Sequence, residues 1–388
     1  GDGTWDLYEV KSSASLKPEN ITDAAVQTYV VEGAGLPIRR VHIVHLDTSY
    51  VWEGGEYDLS RLFAIEDVTT NARALLPEVP GILAEFRAML AGPEPEIRIG
   101  MRCRKPYTCD FSGYCHASLG DEHPITELPY LSEKALHALL DLGITGIGDI
   151  PSDFSMLSPG QAAIVRVVKT GLSEVDPTGI ARELAQLVWP VYHLDFETVN
   201  PALPLWPGTH PYTTVPFQYS VHVHHEDGSY EHREYLHTGT GDPRRPLAER
   251  LVADLDAAGS VLHYTSFERT RLGELAAALP DLAAALGSIV FRLVDLEPII
   301  RHHTRHPATN GRTSIKSVLP AWCPDLSYSD LALSDGNTAS VRYLRSLRGL
   351  LPPDETSALH SDLIEYCGMD TFAMLRLLET LREHAGGR

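Results

Sequence analysis

The sequence predicts a mixed α/β protein made of more than one unit, and three observations carry that expectation. Strand-like segments alternate with segments of helical periodicity. A run of short helical segments punctuated by Gly and Pro separates two β-containing stretches. The chain has 388 residues, more than one ordinary core holds at roughly 100 to 200 residues per domain. Hydrophobic residues make up 43% and charged residues 22%, a composition that can bury a core and argues against disorder. The formal charge is -20, which excludes a protein that coats nucleic acid through a uniformly basic surface. It leaves open an acidic pocket in which metal ions supply local positive charge. With no run of 18 or more apolar residues and no signal-peptide opening, the expectation is a cytoplasmic protein without a membrane partner. The chain opens on GDGTWDLYEVK without Met, so the natural protein is expected to begin earlier.

Residues 1–125 form the first expected segment. TWDLYEVKSS reads as a strand, followed by a helix from about Ile21 to Glu32 stopped by Gly33. The strand IRRVHIVHLDTSYVW comes next, then helices through TTNARALLPEV and ILAEFRAML. Glu9 and Lys11 share a strand face, and Gln27 and Tyr29 lie on the following helix. A metal-binding Glu beside a Lys that orients or deprotonates water is a hydrolytic arrangement. CRKPYTCDFSGYC then sets Cys103, Cys109 and Cys115 close together. In a chain without a secretory signal, clustered thiols are more often metal ligands than disulfides. Spacing alone does not name the metal, and His116 offers a fourth ligand for zinc.

Residues 126–188 read as a helical connector, including LSEKALHALLDLGITGIGDIP and SPGQAAIVRVVKTG. It resembles a helix-hairpin-helix element, whose Gly-bearing turn offers amides to phosphate; a plain connector fits equally well.

Residues 189–388 open a β-rich unit at WPVYHLDFETV. Two strands in VPFQYSVHVHHEDGSYEHREYLH meet at Asp227-Gly228, a strong hairpin signal. SVLHYTSFE leads into the helix RTRLGELAAAL, SIVFRLVDL leads into EPIIRHH, and a last helix runs from about Glu355 to Glu383. Antiparallel strands followed by strand-helix units predict a mixed sheet with helices on both faces.

The chemistry concentrates on carboxylates. Asp195 and Glu197 are two apart on a strand, so they share a face and repel one another unless a cation lies between them. The strand is therefore a solvated edge or it holds metal. Tyr366 and Asp370 are four apart on a helical segment and project from one face. Glu268, where a strand gives way to a helix, is the candidate middle acid, with Asp295 as the second candidate. Acids converging from several elements suit two Mg2+ or Mn2+ ions that activate water, with Tyr366 orienting it. Ser314 and Lys316 are read as phosphate contacts or a solvated loop, and Arg342, Arg345 and Arg348 as a helix face. His222, His224 and His225 are read as core or surface residues rather than ligands.

On Asp195, Phe196 and Glu197 within DFET, and on Tyr366 to Asp370, the last segment resembles the DnaQ-like (DEDD) exonucleases of the ribonuclease H-like fold. The resemblance implies a mixed five-stranded sheet flanked by helices. It also implies a two-metal centre at Asp195, Glu197, Asp370 and the middle acid, acting 3'-to-5' on single-stranded DNA or RNA or its 3' ends. That family carries Asp at the middle position, where this chain has Glu268. On Glu9, Lys11, Gln27, Tyr29 and the cysteines, the first segment resembles RecB-like PD-(D/E)XK nucleases. This implies a restriction-endonuclease-like segment and a [4Fe-4S] cluster on Cys103, Cys109 and Cys115. The Asp expected ahead of Glu9 has only Asp2 and Asp6 as counterparts.

Overall fold

The computed structural model describes residues 3–120, 122–255, 258–329, 331–333 and 335–386; Asp2 lies outside them. The chain divides into two compact units, Gly1–Ile97 with Asn200–Thr214, and Arg98–Val199 with Val215–Arg388. These limits differ from the three expected segments for physical reasons. Ile99 and Cys103 bury in one core with Ile125, Leu136, Leu139 and Val165, so the cysteine segment and the helices after it share a hydrophobic centre. The loop Asn200–Thr214 is tied to the first unit by backbone acceptors: Trp52 N donates to Thr209 O at 2.9 Å, Tyr57 Oη to Pro204 O at 2.6 Å and Tyr212 Oη to Ser12 O at 2.7 Å.

In the first unit, strand β1 (Trp5–Val10) runs parallel to β2 (Ile38–Leu46), which pairs antiparallel with β3 (Phe63–Asp67). The parallel crossover between β1 and β2 is the helix Pro18–Gly33. It starts ahead of the predicted Ile21 because Pro18 supplies a ready-made first turn and Asn20 Oδ1 accepts from Lys17 N at 2.9 Å. Ala24 and Ala25 let this helix approach Val41 and Ile43 of the sheet, with Leu7 packed alongside. Since Leu7 and Glu9 point to the same side, Glu9 is carried to the helix-facing surface.

In the second unit, β4 (Glu174–Val175) pairs with β10 (Thr304–Arg305). The main sheet is made of β5 (Val191–Val199), β6 (Val215–His224), β7 (Tyr230–Leu236), β8 (Val261–His263) and β9 (Leu293–Asp295), in the order β7-β6-β5-β8-β9. Strand β6 is antiparallel to both neighbours, while β8 and β9 follow β5 in parallel. This is the mixed, helix-flanked five-stranded sheet that the sequence predicts. The hairpin turns where expected, with Gly228 at φ 88 and Asp227 Oδ1 accepting from Ser229 N at 2.9 Å. SIVFRLVDL departs from the expectation: the helix Ala283–Phe291 takes its first half and leaves only Leu293–Asp295 as strand. Leu286 and Ile289, three apart, bury as a helical stripe, which a short apolar run does not distinguish from a strand.

Both faces of β5 are covered. Tyr192, Leu194 and Phe196 enter a core with Leu247 and Leu251 of the helix Arg244–Asp254 and Leu272 and Leu275 of the helix Phe267–Ala278. Val191 faces the opposite layer, where Leu262 of β8 packs with the helices Leu296–His303 and Ile315–Trp322 and with the long helix Pro353–His384. The alternation puts His193, Asp195 and Glu197 on that second side.

Gly259 sits at φ +142, and a Cβ there would strike the carbonyl oxygen of Pro190. Gly259→Ala is therefore expected to lower the urea midpoint by the equivalent of at least about 2 kcal/mol. Gly287→Ala, on an exposed helical position with open space around it, is expected to raise it by about 0.5–1 kcal/mol. Equilibrium urea unfolding of the two variants checks both signs.

Candidate functional site

The long helix Pro353–His384 crosses the polar side of β5 and β6, and its register is set by hydrogen bonds to that side. Gln218 Nε2 donates to Leu363 O at 2.8 Å. The Thr371 hydroxyl meets Ser220 Oγ at 2.7 Å and His222 Nδ1 at 2.8 Å. Between these anchors lie Tyr366, Cys367 and Asp370. One carboxylate oxygen from each of Asp195, Glu197 and Asp370 falls within 4.8 Å of the others, the one such group of three acidic, His or Cys residues among the described residues.

Glu197 is buried, and Asp195 and Asp370 are half-buried. Burial, then the charge of Asp370, pushes Glu197 up to about 8. Burial raises Asp370 to about 6, against the hydrogen bond from Tyr328 and the charge of Lys316. Asp195 is driven well above the carboxylate range by burial and by Asp370, Glu268 and Glu197 in that order. Such values mark a site that carries too much negative charge for its surroundings unless a cation joins it.

Glu268 stands on the first turn of the helix Phe267–Ala278, 2% exposed. It lies outside the group of three, yet its charge raises both Asp195 and Asp370. Its Oε2 lies 3.4 Å from His263 Nδ1 and makes no hydrogen bond among the described residues. The turn that delivers it is strained: Thr265 holds φ 70, a left-handed conformation that a β-branched residue rarely adopts. Asp295 secures that turn, because its Oδ1 accepts from Thr265 N at 2.9 Å and caps the next helix through Glu297 N at 3.0 Å. The second candidate for the middle acid is thus committed to capping.

Two further residues complete the site. Tyr328 Oη donates to Asp370 Oδ1 at 2.7 Å. Lys316 Nζ donates to Tyr366 Oη at 3.1 Å, and its ammonium lies 5.2 and 5.5 Å from the ring centroids of Tyr366 and Tyr328. Burial first, then the nearby carboxylates, raises the Tyr366 phenol and keeps it protonated. Cys367 Sγ, fully buried, is 3.6 Å from Asp195 Oδ2, and burial raises its thiol. Lys316 had an open reading in the sequence; Tyr328 and Cys367 had none, since nothing local marks a tyrosine that reaches an acid 42 residues away. Ser314 precedes the Lys316 helix and pairs with Ser317 at 2.8 Å, and Arg342 faces Asp362 at 3.4 Å. His222 and His224 are buried, with burial as the main cause lowering each to about 4, while His225 is exposed.

The first unit brings its own predicted residues together. Lys11 Nζ donates to Glu9 Oε1 at 2.8 Å and to Asp23, and Gln27 Nε2 donates to the other Asp23 oxygen at 3.4 Å. Asp23, four residues before Gln27 on one helix face, is the member that sequence reading missed, and that spacing was its signal. The hydrogen bonds that Lys11 donates to Asp23 and Glu9 raise it, so it stands as a cation rather than a base. Asp6 is engaged elsewhere, in a two-point pair with Arg39 at 3.0 and 2.7 Å.

The cysteines do not form a comparable ligand set. Cys103 is buried and Cys109 and Cys115 half-buried, with Cys109 N donating to Cys103 O at 3.0 Å. They do not meet at single-ion spacing, either with one another or with His116. Cys323 and Cys367 lie beside Thr380 and Asp195.

Comparison with known proteins adds little beyond this geometry. Residues 192–314 match a family described as Domain of unknown function (DUF2779), a span that holds Asp195, Glu197 and Glu268 and stops short of Asp370. Among solved structures, the chain is similar to the family B DNA polymerase from the hyperthermophilic archaeon Pyrobaculum calidifontis. The identity is 17% and the TM-score 0.32, over 51% of this chain and 27% of that one. The similarity therefore spans little more than a quarter of the polymerase. No curated protein matches the chain. Among the described residues, no helix is long and apolar enough to cross a membrane.

The raised acids give a signed pH dependence. Groups whose folded values lie above the unfolded ones stabilise fully below the unfolded values and lose that contribution as pH rises through the folded ones. Without divalent ions, the melting temperature is expected to fall as pH rises above about 4, where unfolded carboxylates ionise, with the share of Asp370 lost by about 6 and that of Glu197 by about 8. Mg2+ is expected to restore it most at the upper end, and Glu197→Gln to flatten both trends. Differential scanning fluorimetry with and without EDTA reads all three.

Proposed function

We propose that Asp195, Glu197, Asp370 and Glu268 form the centre of a Mg2+- or Mn2+-dependent nuclease that removes nucleotides from the 3' ends of single-stranded DNA or RNA. The observation that carries this reading is the convergence of three mutually repelling carboxylates on one spot, with a fourth buried acid lacking a hydrogen-bond partner on one oxygen. The donor set is all carboxylate oxygen, the chemistry that hard divalent cations take. Bound there, such ions would neutralise the acids, lower the pKa of water and polarise the phosphoryl oxygen.

The chain's own residues supply the rest. Tyr366, protonated and buried, donates a hydrogen bond that orients the attacking water. Lys316 fixes that phenol and adds positive charge beside the scissile phosphate. Tyr328 holds the Asp370 carboxylate in one orientation. The water oxygen bonds to phosphorus as the bond from phosphorus to the 3' oxygen breaks, leaving a 5'-phosphorylated nucleotide and a new 3'-hydroxyl end.

A second constellation exists in Glu9, Asp23, Lys11 and Gln27. There an internal ammonium already satisfies two carboxylates, which favours the second unit as the catalytic one. Metal-dependent release of nucleotides from a 3'-labelled strand tests the assignment. Asp195→Ala and Asp370→Asn are expected to cut the rate by at least about 100-fold, with Lys11→Ala near wild type. Tyr366→Phe is expected to lower kcat by about 100-fold or more with KM little changed. Full activity in Asp195→Ala, or loss in Lys11→Ala alone, would move catalysis to the first unit. Strand binding without Mg2+-dependent cleavage would make the protein a binding module.

A further inference from the structure

The chain carries 52 acidic residues against 32 Lys and Arg, yet one concavity of the second unit is lined by basic side chains and, among the described residues, by no acidic one. A cleft of about 320 Å³ lies between the helix Pro159–Thr170, the helix Leu296–His303 with β10, and the helix Ile315–Trp322. Arg301, Arg305, Arg312 and His306 line it, and among the described residues no carboxylate does. Glu297 and Glu127, which are not part of the lining, hold Arg301 at 3.1 Å and Arg312 at 2.9 Å. A guanidinium has five N–H donors, so each anchor leaves others for a ligand.

Aromatic rings stand beside these cations. Trp322 lines the cleft, its ring edge-on to His306 at 5.3 Å. Tyr130 lines it too, 100% exposed and held at φ 57. A bulky side chain kept in the left-handed region and presented wholly to water is costly and buries nothing. Cations interleaved with an exposed aromatic platform suit a phosphate joined to a flat base. The volume sits at the small end of ligand clefts, which hold roughly 300–1,000 Å³, room for one nucleotide unit and too little for a duplex.

We propose that this cleft binds one nucleotide unit of a single-stranded nucleic acid, its phosphate on Arg301, Arg305 and Arg312 and its base against Tyr130 or Trp322. The contact uses none of the carboxylates at the proposed nuclease centre and needs no divalent ion.

The test is fluorescence anisotropy of a short 5'-labelled oligothymidylate with the full chain in EDTA, over a salt series. The triple variant Arg301→Gln, Arg305→Gln, Arg312→Gln is expected to bind at least about tenfold more weakly, with a log-log salt slope shallower by about 0.7, the value for one phosphate contact on a single strand. Tyr130→Ala is expected to weaken binding by about fivefold or more without changing the slope. Gly287→Ala, an exposed helical position outside both sites, should bind as wild type, and since the assay reads binding without divalent ions, failure of the nuclease assignment leaves this result untouched. Should the triple variant melt early, Arg305→Gln alone carries the comparison, with weaker binding and a salt slope shallower by less than about 0.7. Wild-type affinity and slope in these variants, or no binding by the wild type, would overturn the proposal. Competition by adenosine monophosphate as effective, per nucleotide, as the oligomer would make the ligand a free nucleotide and overturn the strand assignment.

Discussion

A helix laid over a polar sheet face must satisfy the groups it covers, and that constraint organises the second unit. Strand β6 is buried along its whole length, so Gln218, Ser220 and His222 have no access to bulk water. Leu363 O answers the Gln218 amide nitrogen, and Thr371 of the long helix answers Ser220 and His222. Each buried polar group left without a partner costs about 1–3 kcal/mol, and sliding the helix by one turn would carry Asp370 about 5.4 Å away from Asp195. The bonds that hold the helix in place therefore also hold the carboxylates together.

The two units answer the same electrostatic problem differently. Clustered acids are stable inside a protein only when paired, protonated or bound to metal. In the first unit Lys11 inserts between Glu9 and Asp23 and closes the charge balance internally. In the second, Lys316 reaches the edge of the cluster through Tyr366, lowering Glu197 and Asp370 without bringing either back to the ordinary carboxylate range. One arrangement is self-sufficient, and the other is an acidic cluster that could bind a metal ion.

Much of this was legible in the sequence where a short period links the residues concerned. The period of two in β5 paired Asp195 with Glu197, the period near four in the last helix paired Tyr366 with Asp370, and Asp227-Gly228 announced its hairpin. Asp23 carries the same helical signal, four before Gln27, but its link to Lys11, twelve residues away, is set by how the helix packs on the strand. Tyr328 was beyond reach, since its partner is set by the fold of the loop that carries it. Asp295 and Glu268 look alike as isolated acids after short strands. Only the turn at Thr265 separates the cap from the buried carboxylate with one unbonded oxygen. The limits of the units were hidden for a similar reason, because Asn200–Thr214 joins the first unit through backbone carbonyls that no side-chain pattern encodes.

Strand β5 divides its residues strictly by parity, with Tyr192, Leu194 and Phe196 in an apolar core and His193, Asp195 and Glu197 on the other side. Such a strand tolerates replacement far better than it tolerates a change of length. Inserting or deleting one residue between Val191 and Asp195 would turn two carboxylates into the core and push aromatic rings against the polar helix face. Natural variation in this segment should therefore proceed by substitution, with insertions and deletions confined to the loop beyond Val199.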